Sequence, residues 1–393
     1  MKRFLKLMAL CLALLMVCAS FAACSNSGSN GSDSDVSAAE GAIKIGGIGP
    51  ITGPAAAYGQ GVKNAAELAV EEINAKGGTQ LAFNFQDDEH DAEKAVNAYN
   101  NLKDWGMQIL MGTVTSTPCI AVAENAKDDN MFLLTPSGTS VDCVKYDNAF
   151  RMCFSDPNQG VESAKYIANN NLAKKVAVIY DSSDPYSSGI YDAFKVEAEN
   201  QGLELVAAEA FTSDSKTDFS VQIQKIQKAG AELVFLPIYY TEASLILTQC
   251  NKVGFSPIFF GADGLDGLLD KVENFDVSLA EGAMFLTPFS ATSTDEKTKA
   301  FVDAYKAKFN DTPNQFAADA YDAIYVIYDC IEKQGITADM STSDICEALK
   351  TAMTSITFEG ITATSTGITW SADGEPNKDP LVVKIVNGAY EIQ

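Results

Sequence analysis

The chain has 393 residues, with 52 acidic and 28 basic side chains and a formal net charge of -24 at pH 7. Such a field repels nucleic acid and anionic lipid, so we exclude both as binding partners. The roughly 350 residues that follow residue 41 exceed the usual size of one hydrophobic core, so two domains are expected.

The N-terminal segment has the features of a bacterial lipoprotein signal. Three basic residues precede an apolar run over 7–17, and two alanines lead directly to Cys24. The run is shorter than the roughly 20 residues that span a bilayer, so we expect cleavage of residues 1–23 and lipidation of Cys24. The alternative is a simple secretory signal with an incidental cysteine. Residues 24–41 are rich in small polar residues and are expected to form a flexible tether. The mature chain would then lie outside the cytoplasmic membrane and contact it only through the lipid anchor.

The scarcity of arginine and histidine limits the kinds of ligand and metal site that the chain can form. Beyond residue 23, Arg151 is the only arginine and His90 the only histidine. A single arginine argues against bidentate recognition of a phosphate or dicarboxylate ligand. The six cysteines after Cys24 have no zinc-type spacing, so neither a metal ion nor a cofactor is expected.

Two pairs of cysteines are close enough in sequence to form disulfides in an oxidising exterior. These pairs are Cys143 with Cys153 and Cys330 with Cys346. Buried free thiols would give the same sequence, so both interpretations stay open.

From residue 43 onward, short apolar runs alternate with helical stretches, which is typical of parallel βαβ units. In the first helix an apolar stripe is expected at positions 62, 65, 66, 69, 70 and 73, and two glycines end it at 77 and 78. In chain order, strands are predicted over 43–48, 81–85, 109–111, 131–134, 176–180, 203–207, 233–236, 258–260, 283–286, 381–386 and 389–392. Helices are predicted between most of the first nine strands and over 295–309, 316–334 and 343–353.

Two stretches without a regular pattern, 154–160 and 287–293, are predicted to cross between domains. The predicted fold is α/β, with two Rossmann-like lobes that have central parallel sheets and are joined by a multi-crossing hinge. The lobes comprise 42–158 plus about 288–378, and 159–287 plus about 379–393. The cleft between such lobes is the expected ligand site.

Motifs for enzymatic chemistry fail in detail. The run over 47–53 is similar to a dinucleotide fingerprint, but Thr52 takes its sixth position, and prolines at 50 and 54 delay the helix that would bind a pyrophosphate. The acidic run over 87–91 lacks the glycine and the closing glutamate of a calcium loop. The sequence has no motif for a catalytic nucleophile with its base, and no pair of carboxylates is distinguished as a general acid and base. We therefore do not expect an enzyme.

Hydroxyl-rich segments over 113–117 and 135–139 each follow a predicted strand. In parallel α/β sheets the loops at the carboxyl ends of strands line the ligand crevice. Hydroxyls and free N–H groups at a helix N-terminus can hold a carboxylate without a cation. Ordinary helix capping by serine and threonine is the alternative.

These residues resemble a known family, the periplasmic leucine/isoleucine/valine-binding proteins, which are the type I branched-chain amino acid receptors of ABC importers. The resemblance covers the chain from about residue 42 to its end. It is carried by the segments 43–54, 58–60, 69–78, 113–117, 135–139, 150–151, 156–160, 181–189 and 260–264.

The resemblance implies a clamp that closes on a free amino acid. The resemblance implies that Ser116 or Thr117 binds the ligand carboxylate. It also implies that the carbonyl group of Gly138 and the hydroxyl group of Thr139 contact the ligand. Asp263 falls where an acidic residue pairs with the ammonium group. A zwitterion needs this division of donors and acid, although a surface Asp-Gly turn is the alternative at Asp263.

The resemblance also implies that four tyrosines form the aromatic wall of the ligand site. The alternative is that they pack in the core. They are Tyr58, Tyr186, Tyr239 and Tyr240. The second loop has the sequence Ser-Gly-Thr at 137–139, where relatives often have Gly-Ala-Thr, and this difference leaves the ligand choice within the family open.

The sequence thus predicts a monomeric, lipid-anchored solute-binding protein that passes a branched-chain or apolar amino acid to an ABC permease. A receptor of the same fold for amides, short peptides or aromatic compounds, or a ligand-sensing module, is the alternative.

Overall fold

The computed structural model describes residues 41–362, 366–378 and 380–393. The predicted signal peptide, Cys24 and the predicted tether up to residue 40 lie outside the described residues. In the part of the chain that is described, no helix combines the length and the apolar character needed to cross a membrane.

Twelve strands are present in the described residues: β1 (Ile43–Gly49), β2 (Leu81–Asp87), β3 (Ile109–Gly112), β4 (Leu133–Thr135), β5 (Ala149–Arg151), β6 (Lys175–Asp181), β7 (Glu204–Phe211), β8 (Leu233–Leu236), β9 (Ile258–Gly261), β10 (Met284–Thr287), β11 (Leu381–Val386) and β12 (Ala389–Ile392). The same residues form ten α-helices: α1 (Ala56–Ala75), α2 (Ala92–Trp105), α3 (Ser116–Asp128), α4 (Asp156–Asn169), α5 (Pro185–Asn200), α6 (Ser220–Lys228), α7 (Tyr240–Lys252), α8 (Glu296–Phe309), α9 (Gln315–Gln334) and α10 (Thr342–Met353).

The first sheet has the strand order β2-β1-β3-β4-β5, and all its strands are parallel. Helix α1 buries the predicted stripe, in which Val62, Ala69 and Ile73 are fully inaccessible to solvent. Helix α9 packs along α1 and is capped at its start by Asn314 and at its end by Gly335, which has a φ of 62°. We call this sheet with its helices the first lobe.

The second sheet has the order β12-β11-β10-β9-β8-β6-β7. Strands β6 to β10 pair in parallel, whereas β11 and β12 pair antiparallel. Helices α4 and α5 pack on each other, and Gly160 permits this contact because a side chain there would meet the backbone of Ile190 at 2.5 Å. We call this sheet with α4 to α7 the second lobe.

The chain passes between the two sheets three times: between β5 and β6, after β10, and before β11. A buried ion pair braces the third passage, because Lys378 Nζ lies 2.5 Å from Asp319 Oδ1 of α9 and 2.9 Å from the carbonyl oxygen of Met152. The predicted α/β fold of two mostly parallel sheets is confirmed. The residue boundaries assigned to the lobes stay a prediction.

Two details of the strand assignment were wrong. The prediction missed β5, because its sequence Ala-Phe-Arg ends in a charged residue and has no apolar run, and it placed the start of β4 two residues too early. The last two strands join the sheet antiparallel, so it is not parallel throughout.

Neither of the two cysteine pairings occurs. All six cysteines of the described residues are buried with free thiols. The Cys143 thiol contacts the carbonyl oxygen of Ser116 at 3.8 Å, and the Cys330 thiol contacts Met353 Sδ at 3.8 Å. These side chains therefore act as small core residues, which was the alternative interpretation.

Candidate functional site

A small enclosed cavity lies where the two lobes meet. It leaves about 230 Å³ that protein atoms do not occupy. Its lining comprises Tyr58, Val114, Thr115, Ser116, Ser137, Thr139 and Phe316 from the first lobe, and Tyr186, Tyr239, Asp263 and Gly264 from the second. The lining combines hydroxyl groups, one carboxyl group and aromatic rings from both lobes.

The first hydroxyl segment leads into helix α3, whose N-terminus faces the cavity. Thr115 precedes the helix, but its side chain does not cap the first turn. Instead its hydroxyl lies 2.8 Å from Nδ1 of His90. The first-turn N–H groups of α3 therefore lack a side-chain cap, and the helix dipole favours an anion at this position. The helix-capping interpretation does not hold at Thr115.

The second hydroxyl segment follows β4, the neighbour of β3, and it is bonded to the first. Ser137 donates to the carbonyl oxygen of Val114 at 2.7 Å, and the backbone N–H of Ser140 donates to Ser116 Oγ at 3.2 Å. Thr139 Oγ1 is shielded from solvent and lies beside the buried carboxyl group of Asp156, with which it interacts. A buried hydroxyl of this kind favours a ligand that accepts or donates a hydrogen bond there.

Asp263 supplies the single carboxylate of the cavity lining. It follows β9 in a short 3-10 helix, Asp263–Leu265, and is only 4% exposed. Its Oδ1 accepts a hydrogen bond from the Tyr186 hydroxyl at 2.7 Å, and its backbone N–H donates to Gln159 Oε1 at 3.0 Å. Burial raises the pKa of Asp263 to about 6, while the Tyr186 hydrogen bond opposes the rise. Asp263 is therefore mostly ionised at neutral pH and lies in a place that favours a cation.

Aromatic rings form the remaining wall. Tyr186 and Tyr239 stack with their ring centroids 4.9 Å apart, and Tyr58 packs on Phe316 at 4.4 Å. Asn314 fixes Phe316, because its side chain caps α9 and also donates to the carbonyl oxygen of Ala57. The wall presents apolar ring faces to any side chain in the cavity.

Hydrogen bonds between the lobes close this cavity. The Tyr58 hydroxyl donates to the carbonyl oxygen of Gly264 at 2.6 Å, and the Thr241 hydroxyl donates to that of Pro54 at 3.0 Å. Gln315 Nε2 donates to the carbonyl oxygen of Asp263 at 3.2 Å. The structure is thus a closed arrangement of the two lobes.

Most of the residues singled out in the sequence meet at this cavity. Six of the nine line it together, namely Ser116, Thr139, Asp263, Tyr58, Tyr186 and Tyr239. Their roles towards a ligand stay predictions.

Three of the nine lie outside the lining. The Thr117 hydroxyl donates to Asp184 Oδ1 at 3.5 Å, and the Gly138 carbonyl oxygen accepts from Arg151 at 3.0 Å. Tyr240 lies behind Tyr58, with a ring distance of 5.2 Å, and its hydroxyl accepts from the N–H of Ala57. Each is engaged by a neighbouring group and so supports the site from outside.

Sequence reasoning missed Phe316 and did not single out Val114, Thr115 or Ser137. Phe316 is the first residue of the predicted helix 316–334, and its position in the first turn of α9 brings it to the cavity. Val114, Thr115 and Ser137 belong to the two hydroxyl segments, so their position after a predicted strand could have identified them as cavity residues.

The chain matches the family model described as periplasmic binding protein over residues 42–389. The chain belongs to the periplasmic binding protein family. It is therefore an extracytoplasmic solute-binding protein of the type that serves ABC importers and not an enzyme.

The family membership is supported by individual relatives. The chain is 34% identical over 310 residues to a Leu/Ile/Val-binding protein homolog of Brucella melitensis. The alignment covers 77% of this chain and 82% of the relative. It superposes on the branched-chain amino acid transporter substrate-binding protein LivJ of Streptococcus pneumoniae, solved with isoleucine, with a TM-score of 0.79 at 29% identity, covering 90% and 99% of the two chains.

A solute-binding protein of Rhodopseudomonas palustris, solved with benzoate, matches with a TM-score of 0.77 at 20% identity, covering 90% and 95% of the two chains. At this identity the likeness extends to the fold alone. Members of this binding-protein fold thus hold chemically different ligands, and the ligand must be argued from the cavity.

His90 provides a pH-dependent signal from the closed site, because it contacts the second lobe through Tyr239 at 5.5 Å. Burial, followed by the positive charge of Lys216, lowers the pKa of His90 to about 4, against the opposing charges of Asp181 and Asp91. We expect this single histidine to stay neutral in NMR spectra from pH 7 down to about pH 5, and to titrate near its ordinary value in urea. Since the unfolded state binds this proton first, His90 lowers stability as the pH falls from about 6.5 towards 4. A native midpoint near 6.5 would show that the ring is exposed.

Proposed function

We propose that this periplasmic binding protein captures a free amino acid with a branched-chain or other apolar side chain and delivers it to an ABC permease. The observation that carries the proposal is the division of the cavity. Neutral donors lie on the first lobe, one buried acid lies on the second, and aromatic rings lie between them. The arrangement suits the carboxylate, the ammonium group and the apolar side chain of such a ligand.

Each end of a zwitterion would meet a matched group. The first turn of α3 and the hydroxyls of Ser116 and Thr139 would receive the carboxylate, where the helix dipole adds to the hydrogen bonds. Asp263 would pair with the ammonium group. Since burial disfavours the charge on Asp263 in the free protein, a cationic partner lowers its pKa and gains favourable free energy.

The names of the relatives agree with this ligand class. The Brucella relative is named for leucine, isoleucine and valine, and the Streptococcus structure contains isoleucine. Both relatives cover most of this chain, which supports the transfer of a branched-chain ligand to it.

Ligand entry requires the lobes to separate, because the hydrogen bonds of Tyr58, Thr241 and Gln315 span the cleft. The three passages of the chain between the sheets would serve as the hinge. Closure would bury the ligand and form the surface that the permease recognises. In the same proposal Cys24 carries the lipid anchor, and the receptor works as a monomer.

A thermal-shift screen with the twenty amino acids, leucinamide and benzoate tests this assignment. Leucine, isoleucine or valine should raise the unfolding temperature, because a ligand at 1,000 times its Kd stabilises the native state by about 4 kcal/mol. Leucinamide tests the need for a carboxylate and benzoate the need for an ammonium group. Stabilisation by benzoate without any amino acid effect would contradict the proposal.

Asp263→Asn keeps the shape of the side chain and removes its charge. Calorimetric titration with leucine should show a loss of about 2 to 5 kcal/mol in binding free energy, because a buried ammonium group would lose its partner. The free protein should unfold at a similar or higher temperature, since burial already disfavours the charge. The control is Asp322→Asn, a buried acid of α9 that accepts a hydrogen bond from the backbone of Thr362 and does not line the cavity. Equal losses in both variants would remove Asp263 from its assigned role.

Thr139→Val removes a hydroxyl from the cavity without a large change in volume. Leucine binding should weaken by about 1 to 3 kcal/mol, because one carboxylate oxygen would lose its donor. Thr298→Val is the matched control, because Thr298 is a buried threonine of α8 whose hydroxyl donates to Asp295 Oδ2, away from the cavity. If the two variants lose the same affinity, the carboxylate does not bind at Thr139.

A further inference from the structure

Arg151 lies directly behind the second hydroxyl segment. It ends β5, and its side chain is among the largest that are fully buried. Its guanidinium donates to three consecutive carbonyl oxygens: Nη1 to Gly138 at 3.0 Å and to Thr139 at 2.5 Å, and Nη2 to Ser140 at 2.9 Å. A planar fork of donors holds such a set of acceptors in a way that a lysine ammonium does not.

These bonds fix the direction of the neighbouring N–H groups. In a trans peptide the N–H group points opposite to the carbonyl group that precedes it. Because the carbonyl of Thr139 is turned towards Arg151, the N–H of Ser140 points away and reaches Ser116 Oγ. The carbonyl of Gly138 fixes the N–H of Thr139 by the same geometry. The guanidinium thus orients the donor side of the cavity from behind.

The charge of Arg151 is only partly compensated. Its Nη2 lies 3.1 Å from Glu375 Oε1, and the Glu375 side chain is 33% exposed, whereas that of Arg151 is fully buried. The other nearby carboxyl group is Asp156, and burial raises its pKa well above the usual range, while the charge of Arg151 opposes the rise. Water therefore screens the charge of Glu375 more than it screens the charge of Arg151.

We infer that Arg151 is a positioning residue for the carboxylate of the ligand and that Glu375 moderates its charge. The inference rests on the proposed capture of an amino acid. Arg151 does not line the cavity, so it acts through the backbone of Gly138 to Ser140 and through its field. The part of the chain that precedes β11 also holds Arg151 in place, since the Trp370 indole N–H donates to the carbonyl oxygen of Arg151 at 2.7 Å.

Two substitutions separate the geometric and electrostatic contributions. Arg151→Lys keeps the positive charge but loses the fork, and leucine binding should weaken at least tenfold. Glu375→Gln keeps the fork and removes the opposing charge, and leucine binding should become about threefold tighter at pH 8 and low salt. A purely structural role would not give tighter binding, because removing Glu375 would only loosen the support of Arg151.

Calorimetric titration with L-leucine measures both variants beside the wild-type protein. The control for net charge is Glu347→Gln, an exposed glutamate of α10 whose ion pair with Lys350 lies outside the cavity lining, and its affinity should be unchanged. Unchanged or weaker binding in Glu375→Gln, or wild-type affinity in Arg151→Lys, would overturn the inference. If Arg151→Lys does not fold, Glu375→Gln decides alone. Failure of the wild-type protein to bind leucine would instead refute the proposed ligand.

Discussion

The site depends on keeping one carboxylate ionised in a place that water hardly reaches. Asp263 is 4% exposed, and burial raises its pKa to about 6. Two polar contacts within the second lobe hold it in place, one from Tyr186 and one to Gln159. In the closed arrangement the charge of Asp263 is therefore disfavoured, and a cationic group in the cavity would offset this effect. The aromatic wall and the interlobe hydrogen bonds exclude water and so maintain this effect.

Topology explains why residues far apart in the sequence meet at this carboxylate. In the second sheet, β6, β8 and β9 are neighbours, and their carboxyl ends lead to Tyr186, Tyr239 and Asp263. In the first sheet, β3 and β4 are neighbours and lead to the two hydroxyl segments. Because the carboxyl ends of both sheets face the same cleft, two independent sets of loops complete one cavity. This is the rule by which the sequence pattern could anticipate the location.

The fold and the two hydroxyl segments could be predicted from short-range patterns, whereas Asp263 and the tyrosines were assigned through the family resemblance. Buried strands are apolar runs, and the residues that follow them fall at the strand ends. Gly138 and Thr117 show the limit of this logic. Whether a carbonyl or a hydroxyl points into the cavity depends on partners such as Arg151 and Asp184, which no local pattern identifies. Phe316 shows a second limit, because its position depends on how α9 packs against α1.

The free thiols of the core have a consequence for the life of this protein outside the cytoplasmic membrane. Six cysteines are packed as small apolar residues in the described chain, and none of them forms a covalent cross-link. Noncovalent packing of apolar side chains, and not a disulfide, therefore holds the described core together.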